Sequence, residues 1–337
     1  MSLASGACGQ AVVPSRSAGP TGVVVALPTA TGFAPVSPSP IATRTPSPTQ
    51  TASASPISVR ATRSVLRLPA PRSRAVAFEL GTSILVVGGL TTAGTTTDSI
   101  FALDPAARRA TTVGTLAAPV HDAGGAVLGG SGFVFGGGRF APGSVVQRVD
   151  PSGRTRTIGH LPAVRADLVA VSIGNRLIVV GGGTAGGPDA RVLATTDGRH
   201  FQTIATLVVG VRYPAVAVLG GLIYLIGGST PSGDTRVIQT VDPRTGVVRI
   251  VGNLSRALSH ASAFVLGGDI LFAGGRSKGV AQDGLWRLHG AGGRVTRIGR
   301  LPYAVSDAAV VVTHGVGYII GGEGHRPLAT IIEVSAK

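Results

Sequence analysis

Short apolar runs that end in a pair of glycines recur six times between residues 57 and 337. The doublets are Gly88-Gly89, Gly136-Gly137, Gly181-Gly182, Gly227-Gly228, Gly274-Gly275 and Gly321-Gly322, spaced by 48, 45, 46, 47 and 47 residues. Leu68, Leu116, Leu161, Leu207, Leu254 and Leu301 each stand 20 residues before the first glycine of their doublet. A third marker stands seven residues before it: Gly81, Gly129, Gly174, Gly220 and Gly267, with His314 beside Gly315 in the sixth copy. Markers in fixed register over six copies define a repeat protein. The length differences fall between one doublet and the next leucine, where loops absorb them.

Each repeat reads as four strands. Residues 75–78 form a first strand, the third marker turns the chain, and residues 84–87 form a second. The second strand is apolar without alternation in every repeat, as in residues 177–180, 222–226 and 318–320, which predicts burial on both faces. A polar loop follows the doublet, then a third strand such as 99–103, a turn such as Asp104-Pro105, and a fourth strand such as 111–115. Four antiparallel strands per repeat, the Gly-Gly endings, Leu161-Pro162, Leu301-Pro302 and the Asp-Pro turns at 104, 150 and 242 together resemble the kelch repeat. Kelch repeats carry a Tyr on strand three and a Trp on strand four; this chain has Phe101, Val149 and Val241 on strand three, and its sole Trp, Trp286, lies on the third strand of repeat five. The resemblance covers residues 57–337 and implies an all-β, six-bladed β-propeller of kelch type. The last repeat ends after one strand beyond its doublet, at residues 329–334, while residues 57–65 precede Leu68 as a fourth strand would. Closure of the last blade by that N-terminal strand is therefore expected, which removes an exposed edge.

Residues 1–56 contain no Asp or Glu and are rich in Pro, Ser, Thr and Ala in their second half. Such a segment buries too little apolar surface to offset the entropy of ordering and reads as a disordered tail or stalk. Within it, Ser5-Gly6-Ala7-Cys8 resembles the end of a bacterial lipoprotein signal, which makes Cys8 a lipidation candidate and implies an extracytoplasmic, cell-surface location. Cys8 is the sole cysteine, so no disulfide forms within the chain. No run of 18 apolar residues predicts a membrane-spanning helix, which leaves a lipid anchor as the expected membrane contact.

Composition changes little in this picture. With 51 Gly and 13% charged residues the chain is a poor helix former. The net charge of +15 comes almost wholly from arginine, scattered through every repeat with no basic run and few aromatic neighbours, so specific nucleic-acid binding is not expected.

In a propeller the first strand of each blade lines the central channel, and ligands meet the loops at one mouth. Fourteen residues before the doublets stand Arg74, Asp122, Asp167, Tyr213, His260 and Asp307, polar positions in segments otherwise of Ala, Val and Gly. Arg72, His121, Arg165 and Arg212 lie close by. This ring is the candidate ligand site, able to coordinate a cation through its carboxylates, to bind a sugar or carboxylate through Arg and Tyr, or to serve as a structural network of paired charges. No histidine pair has metal-ligand spacing, the propeller lacks the cysteine that a Tyr–Cys copper cofactor needs, and no cofactor or catalytic residue is assigned. The expected function is a monomeric, non-enzymatic binding or scaffold propeller with a protein or carbohydrate ligand. Two alternatives stand beside it: a carbohydrate-active enzyme, such as a sugar epimerase or mutarotase, that uses the ring, and a binder of anionic polymers.

Overall fold

The structure, a computed structural model, describes residues 57–337, so the expectations for residues 1–56, including Cys8, lie outside the described residues. Those described form a six-bladed β-propeller of four antiparallel strands per blade, with one 3-10 turn at Gly290–Gly292 as the helical element among them. Blade 1 comprises Val76–Leu80, Ser83–Val87, Ser99–Asp104 and Arg109–Thr115 from the channel outward. Blades 2 to 5 repeat this order, their first strands being Gly124–Leu128, Ala166–Ile173, Ala215–Leu219 and Ser262–Leu266.

Blade 6 is closed from the other end of the chain. Ala309–Thr313, Val316–Ile320 and Leu328–Ala336 are its first three strands, and Val59–Arg72 is the fourth. The register runs from Val59 opposite Ala336 to Arg72 opposite Leu328. This strand is longer than the expected 57–65 and carries Leu68 within it, whereas Leu116 and the later marker leucines follow the ends of their strands.

Six separate apolar cores, one in each seam between neighbouring blades, hold the ring together. The second strands explain their own composition: Ile84 and Val86 face the blade 6 seam, while Leu85 and Val87 face the blade 2 seam. Likewise Leu177 and Val179 pack toward blade 2, and Ile178 and Val180 toward blade 4. Each such side chain removed from water contributes about 1.5–3 kcal/mol. The first strands converge on the channel, and between blades 2 and 3 they approach so closely that a Cβ on Gly124 would press on the backbone of Val169 and Ala170.

The Gly-Gly doublets do more than turn the chain. The N–H of each second glycine donates to a carbonyl of the segment leading into the next blade: Gly89 to Val120 (2.8 Å), Gly137 to Arg165 (2.9 Å), Gly182 to Val211 (2.8 Å), Gly228 to Leu258 (2.8 Å), Gly275 to Val305 (2.8 Å) and Gly322 to Arg72 (2.8 Å). The first glycine lies flat against that same carbonyl, and a Cβ on Gly227 would overlap the Leu258 oxygen.

Two outcomes follow from this architecture. Gly227→Ala and Gly220→Ala place alanine at nearly the same backbone angle (φ 62° and 59°), but only the first meets an atom within 4 Å. Gly220→Ala should cost about 1–2 kcal/mol for the left-handed backbone alone, and Gly227→Ala at least about 2 kcal/mol more, as read from denaturant unfolding. Equal losses would mean that the carbonyl contact is not what selects glycine. Deletion of residues 57–66 should abolish the cooperative melt followed by circular dichroism, whereas deletion of 1–54 should preserve it.

Candidate functional site

A closed circle of backbone hydrogen bonds sets the mouth of the channel. Asp122 N–H donates to Arg74 O (3.1 Å), Asp167 to Asp122 (2.8 Å), Tyr213 to Asp167 (2.9 Å), His260 to Tyr213 (3.1 Å), Asp307 to His260 (3.1 Å) and Arg74 to Asp307 (2.9 Å). All six residues have left-handed backbones, with φ between 51° and 61°. The ring expected from the spacing is thus assembled by the main chain, and its six side chains surround a cavity of about 110 Å³. Below it the channel widens to about 280 Å³ and is lined mainly by Ala, Gly and Val.

The side chains at the mouth pair with one another. Arg74 reaches Asp122 at 3.1 Å, Glu323 at 3.1 Å and Asp307 at 3.7 Å. Arg212 pairs with Asp167, and Arg276 pairs with Glu323 and with Asp307, the latter at 2.9 Å. The Tyr213 ring stacks on His260 with centroids 3.8 Å apart, and the Arg74 and Arg212 guanidiniums lie 6.0 and 5.6 Å from its centre. Its hydroxyl donates a long 3.5 Å hydrogen bond to Asp122. Ser259 Oγ lies 2.7 Å from His260 Nδ1, and Ser306 donates to Asp307 at 2.6 Å.

These surroundings divide the titrating groups. Burial pushes the Asp122 carboxyl up to about 7; Arg74 works against this, and the Asp167 and Asp307 charges add to it. Burial lowers both His260 and His121, with Arg74 reinforcing each, so both imidazoles are neutral at pH 7. Burial beside Asp122 and Asp167 raises the Tyr213 phenol, which stays protonated. Glu323 is held below its usual range: burial opposes this, but the Ser73 hydrogen bond and the Arg74 charge prevail.

Of the four accessory residues, the structure brings two to the mouth. His121 lies 3.7 Å from Asp122, and Arg212 pairs as described. Arg72 and Arg165 lie instead in the seams between blades, at positions held by Val120, Val211, Leu258 and Val305 elsewhere. Arg72 stacks over Phe101 (4.7 Å) and donates to Ser99 Oγ (2.7 Å). Arg165, 1% exposed, pairs with Asp189 and donates to the Gly181 and Arg191 carbonyls.

Arg276 and Glu323 are the mouth residues that spacing did not single out. Each directly follows a doublet, and its backbone bridges to the residue before the ring position, Ser259 and Ser306 respectively. Those following the other doublets are Leu90, Gly138, Gly183 and Ser229, so the signal was the presence of charge in an otherwise uncharged column. Among the described residues no group of three or more His, Cys, Asp or Glu is arranged to hold a metal ion. At the mouth Arg74 and Arg276 stand between the carboxylates.

No family model matches the chain, and no curated protein matches it in sequence. Its fold is similar to a solved structure titled "Structure of YjhT", with a TM-score of 0.71 over 81% of this chain and 98% of the other, at 17% identity. At that identity the likeness extends to the six-bladed architecture alone. Matching chains of known structure number 808, so the fold leaves many functions open.

The Asp122 shift carries a pH dependence. A carboxyl raised from 3.8 to about 7 binds its proton more tightly in the folded chain than in the unfolded one. Its contribution to stability is complete below about pH 4 and is lost as the pH rises toward 7. Asp122→Asn removes this titration, so between pH 4 and 7 the parent should lose on the order of 3 kcal/mol more unfolding free energy than the variant. Urea unfolding of both proteins at the two pH values tests this, and parallel behaviour would contradict it.

Proposed function

We propose that this chain is a non-enzymatic binding propeller that takes a protein or carbohydrate ligand at the channel mouth, with Arg74 and Tyr213 as its principal contacts. One observation carries the reading. Asp and His tolerate a left-handed backbone comparatively well, and four of the six ring positions hold them; Arg and Tyr gain no such advantage, yet Arg74 and Tyr213 are held there at φ 54° and 51°. Strained residues of this kind concentrate at ligand sites. Both aim polar atoms at the mouth, and the stacked His260 and paired carboxylates hold them in place.

The size of the mouth narrows the ligand. About 110 Å³ is well below the roughly 300–1,000 Å³ that encloses a whole small molecule. A protruding polar group fits, such as a side chain or the end of a glycan, while the body of the ligand rests on the surrounding loops. Those loops offer contacts on opposite sides: Phe140 of blade 2 is 91% exposed beneath the Arg139 guanidinium, and Val280 of blade 5 is 64% exposed. Aromatic and arginine side chains of this kind dominate binding energy at protein interfaces. The repeat markers support a kelch-type array, and the Ser/Thr/Pro-rich segment with Cys8 supports display outside a bacterial cell on a lipid anchor.

A second reading has its own observation. A carboxyl poised near pH 7 beside Tyr213 suits proton transfer to a sugar, as in an epimerase or mutarotase. Loss of anomer interconversion on Asp122→Asn, followed by NMR over a panel of sugars, would favour it.

Screening the full chain against a glycan array and a displayed peptide library tests the principal reading. Binders should lose at least tenfold in affinity on Tyr213→Asn or Arg74→Asn. The melting temperature of Tyr213→Asn should stay within about 3 °C of the parent, because relief of the left-handed strain offsets the lost stacking. Undiminished binding by both variants would overturn the assignment.

A further inference from the structure

A second site lies away from the mouth, along the flank between blades 4 and 5. A groove of about 690 Å³ there is lined by Arg236, Arg256, Arg294, Arg297 and Arg300, with Trp286 at its base. Asp283 is the carboxylate in its lining, and Arg297 and Arg300 share it at 3.1 and 3.2 Å. Arg236 donates to the Leu254 carbonyl at 2.8 Å. Arg256 and Arg294 are exposed, and neither has a carboxylate partner among the described residues. Five guanidiniums around one carboxylate repel one another, and an anion laid among them relieves that repulsion while matching their planar donor forks.

The two blades that flank the groove differ at one position of the third strand, Gln239 in blade 4 and Trp286 in blade 5. In blades 2 and 4 the buried Gln147 and Gln239 clamp the loop that leads into the blade, each exchanging two hydrogen bonds with the backbone of Ala118 or Val209. Blade 5 has Trp286 at this place, and the loop residue equivalent to Ala118 and Val209 is Arg256. Trp286 stacks instead on Phe272, with centroids 5.2 Å apart and rings 15° from parallel.

We propose that this groove binds an extended acidic polypeptide segment. Charge selects the anion, and the backbone selects the peptide. Arg294–Arg300 is the outermost strand of blade 5 and pairs on one side only, with Gly284–His289, so its outer edge has no strand partner, and four of its residues line the groove. An extended chain can add there as a further strand, with acidic side chains reaching the arginines. This site shares no lining residue with the mouth, so it stands or falls separately from the binding reading given for the mouth.

Trp286 is the only tryptophan in the chain, so intrinsic emission of the full-length protein reports on this groove alone. Titration with an octaglutamate peptide, followed by Trp emission and by calorimetry, should show saturable binding that weakens with salt and is absent for octaglutamine. The double variant Arg256→Ala/Arg294→Ala should bind at least about tenfold more weakly, as loss of two charge-assisted contacts implies, with an unchanged melt. Three results would overturn the proposal: no saturable binding of octaglutamate by either readout, undiminished affinity in the double variant, or tighter binding of heparin than of octaglutamate, which would make the occupant a glycan.

Discussion

Six backbone hydrogen bonds around the channel mouth are the constraint on which the rest of the molecule depends. Each passes from one blade to the next, from Asp122 to Arg74 and onward until Arg74 donates to Asp307 and the circle closes. A residue can give its N–H to one neighbouring blade and its C=O to the other only in a restricted conformation, and all six adopt the left-handed one. That costs of order 1–2 kcal/mol per non-glycine residue. The ring returns one hydrogen bond per blade and fixes the direction in which every first strand starts. The doublets supply a second, outer set of six bonds, so each seam is pinned at two radii before its apolar core is counted.

This double pinning explains why the fold was legible. The glycines are compulsory because a Cβ on the first would press on the next blade's carbonyl and a Cβ on the second on a carbonyl at the entry of its own blade, so they stand in every repeat and mark the register. Unbroken apolar second strands revealed burial on both faces because each serves two seam cores. At the remaining third-marker position His314 adopts φ 48°, the angle that glycine supplies in the other five repeats. The extra strand at the start of the propeller could be counted from the one missing at its end. The bulges in the fourth strands were not legible: Val113, Ile158, Ile204, Val251 and Ile298 are each extruded from the pairing at the same place. Period-two patterning gives no sign of a single extra residue.

The chemistry of the mouth was legible only in part, for a physical reason. Spacing located the six ring positions, but a polar residue there answers two demands at once. Asp122, Asp167, Asp307 and His260 are residue types that a left-handed backbone accepts, and their side chains then pair with whatever cation is near. Arg72 and Arg165 were placed beside the ring by their distance along the chain, yet the side chain two positions before the ring turns into a seam. Arg276 and Glu323 come from a different loop, brought in by backbone bridges that no local pattern encodes. Arg74 and Tyr213 are left as the ring residues whose identity the backbone does not explain.

The excess positive charge can be located by the same reasoning. At the mouth Arg74, Arg212 and Arg276 meet four carboxylates, so the channel contributes nothing to the net charge of +15. Arginines on outer strands, such as Arg109, Arg156, Arg249 and the Arg60, Arg63 and Arg67 of blade 6, blunt edges that would otherwise pair with another chain, which accounts for the charge on those strands. It does not account for blade 5, where three arginines on one edge strand face two more across a groove. Edge protection asks for charges that keep other strands away, whereas a cleft where five guanidiniums share one carboxylate beside an unpaired strand edge attracts a strand of the opposite charge. The same edge that rejects a neutral or basic strand can therefore select an acidic one.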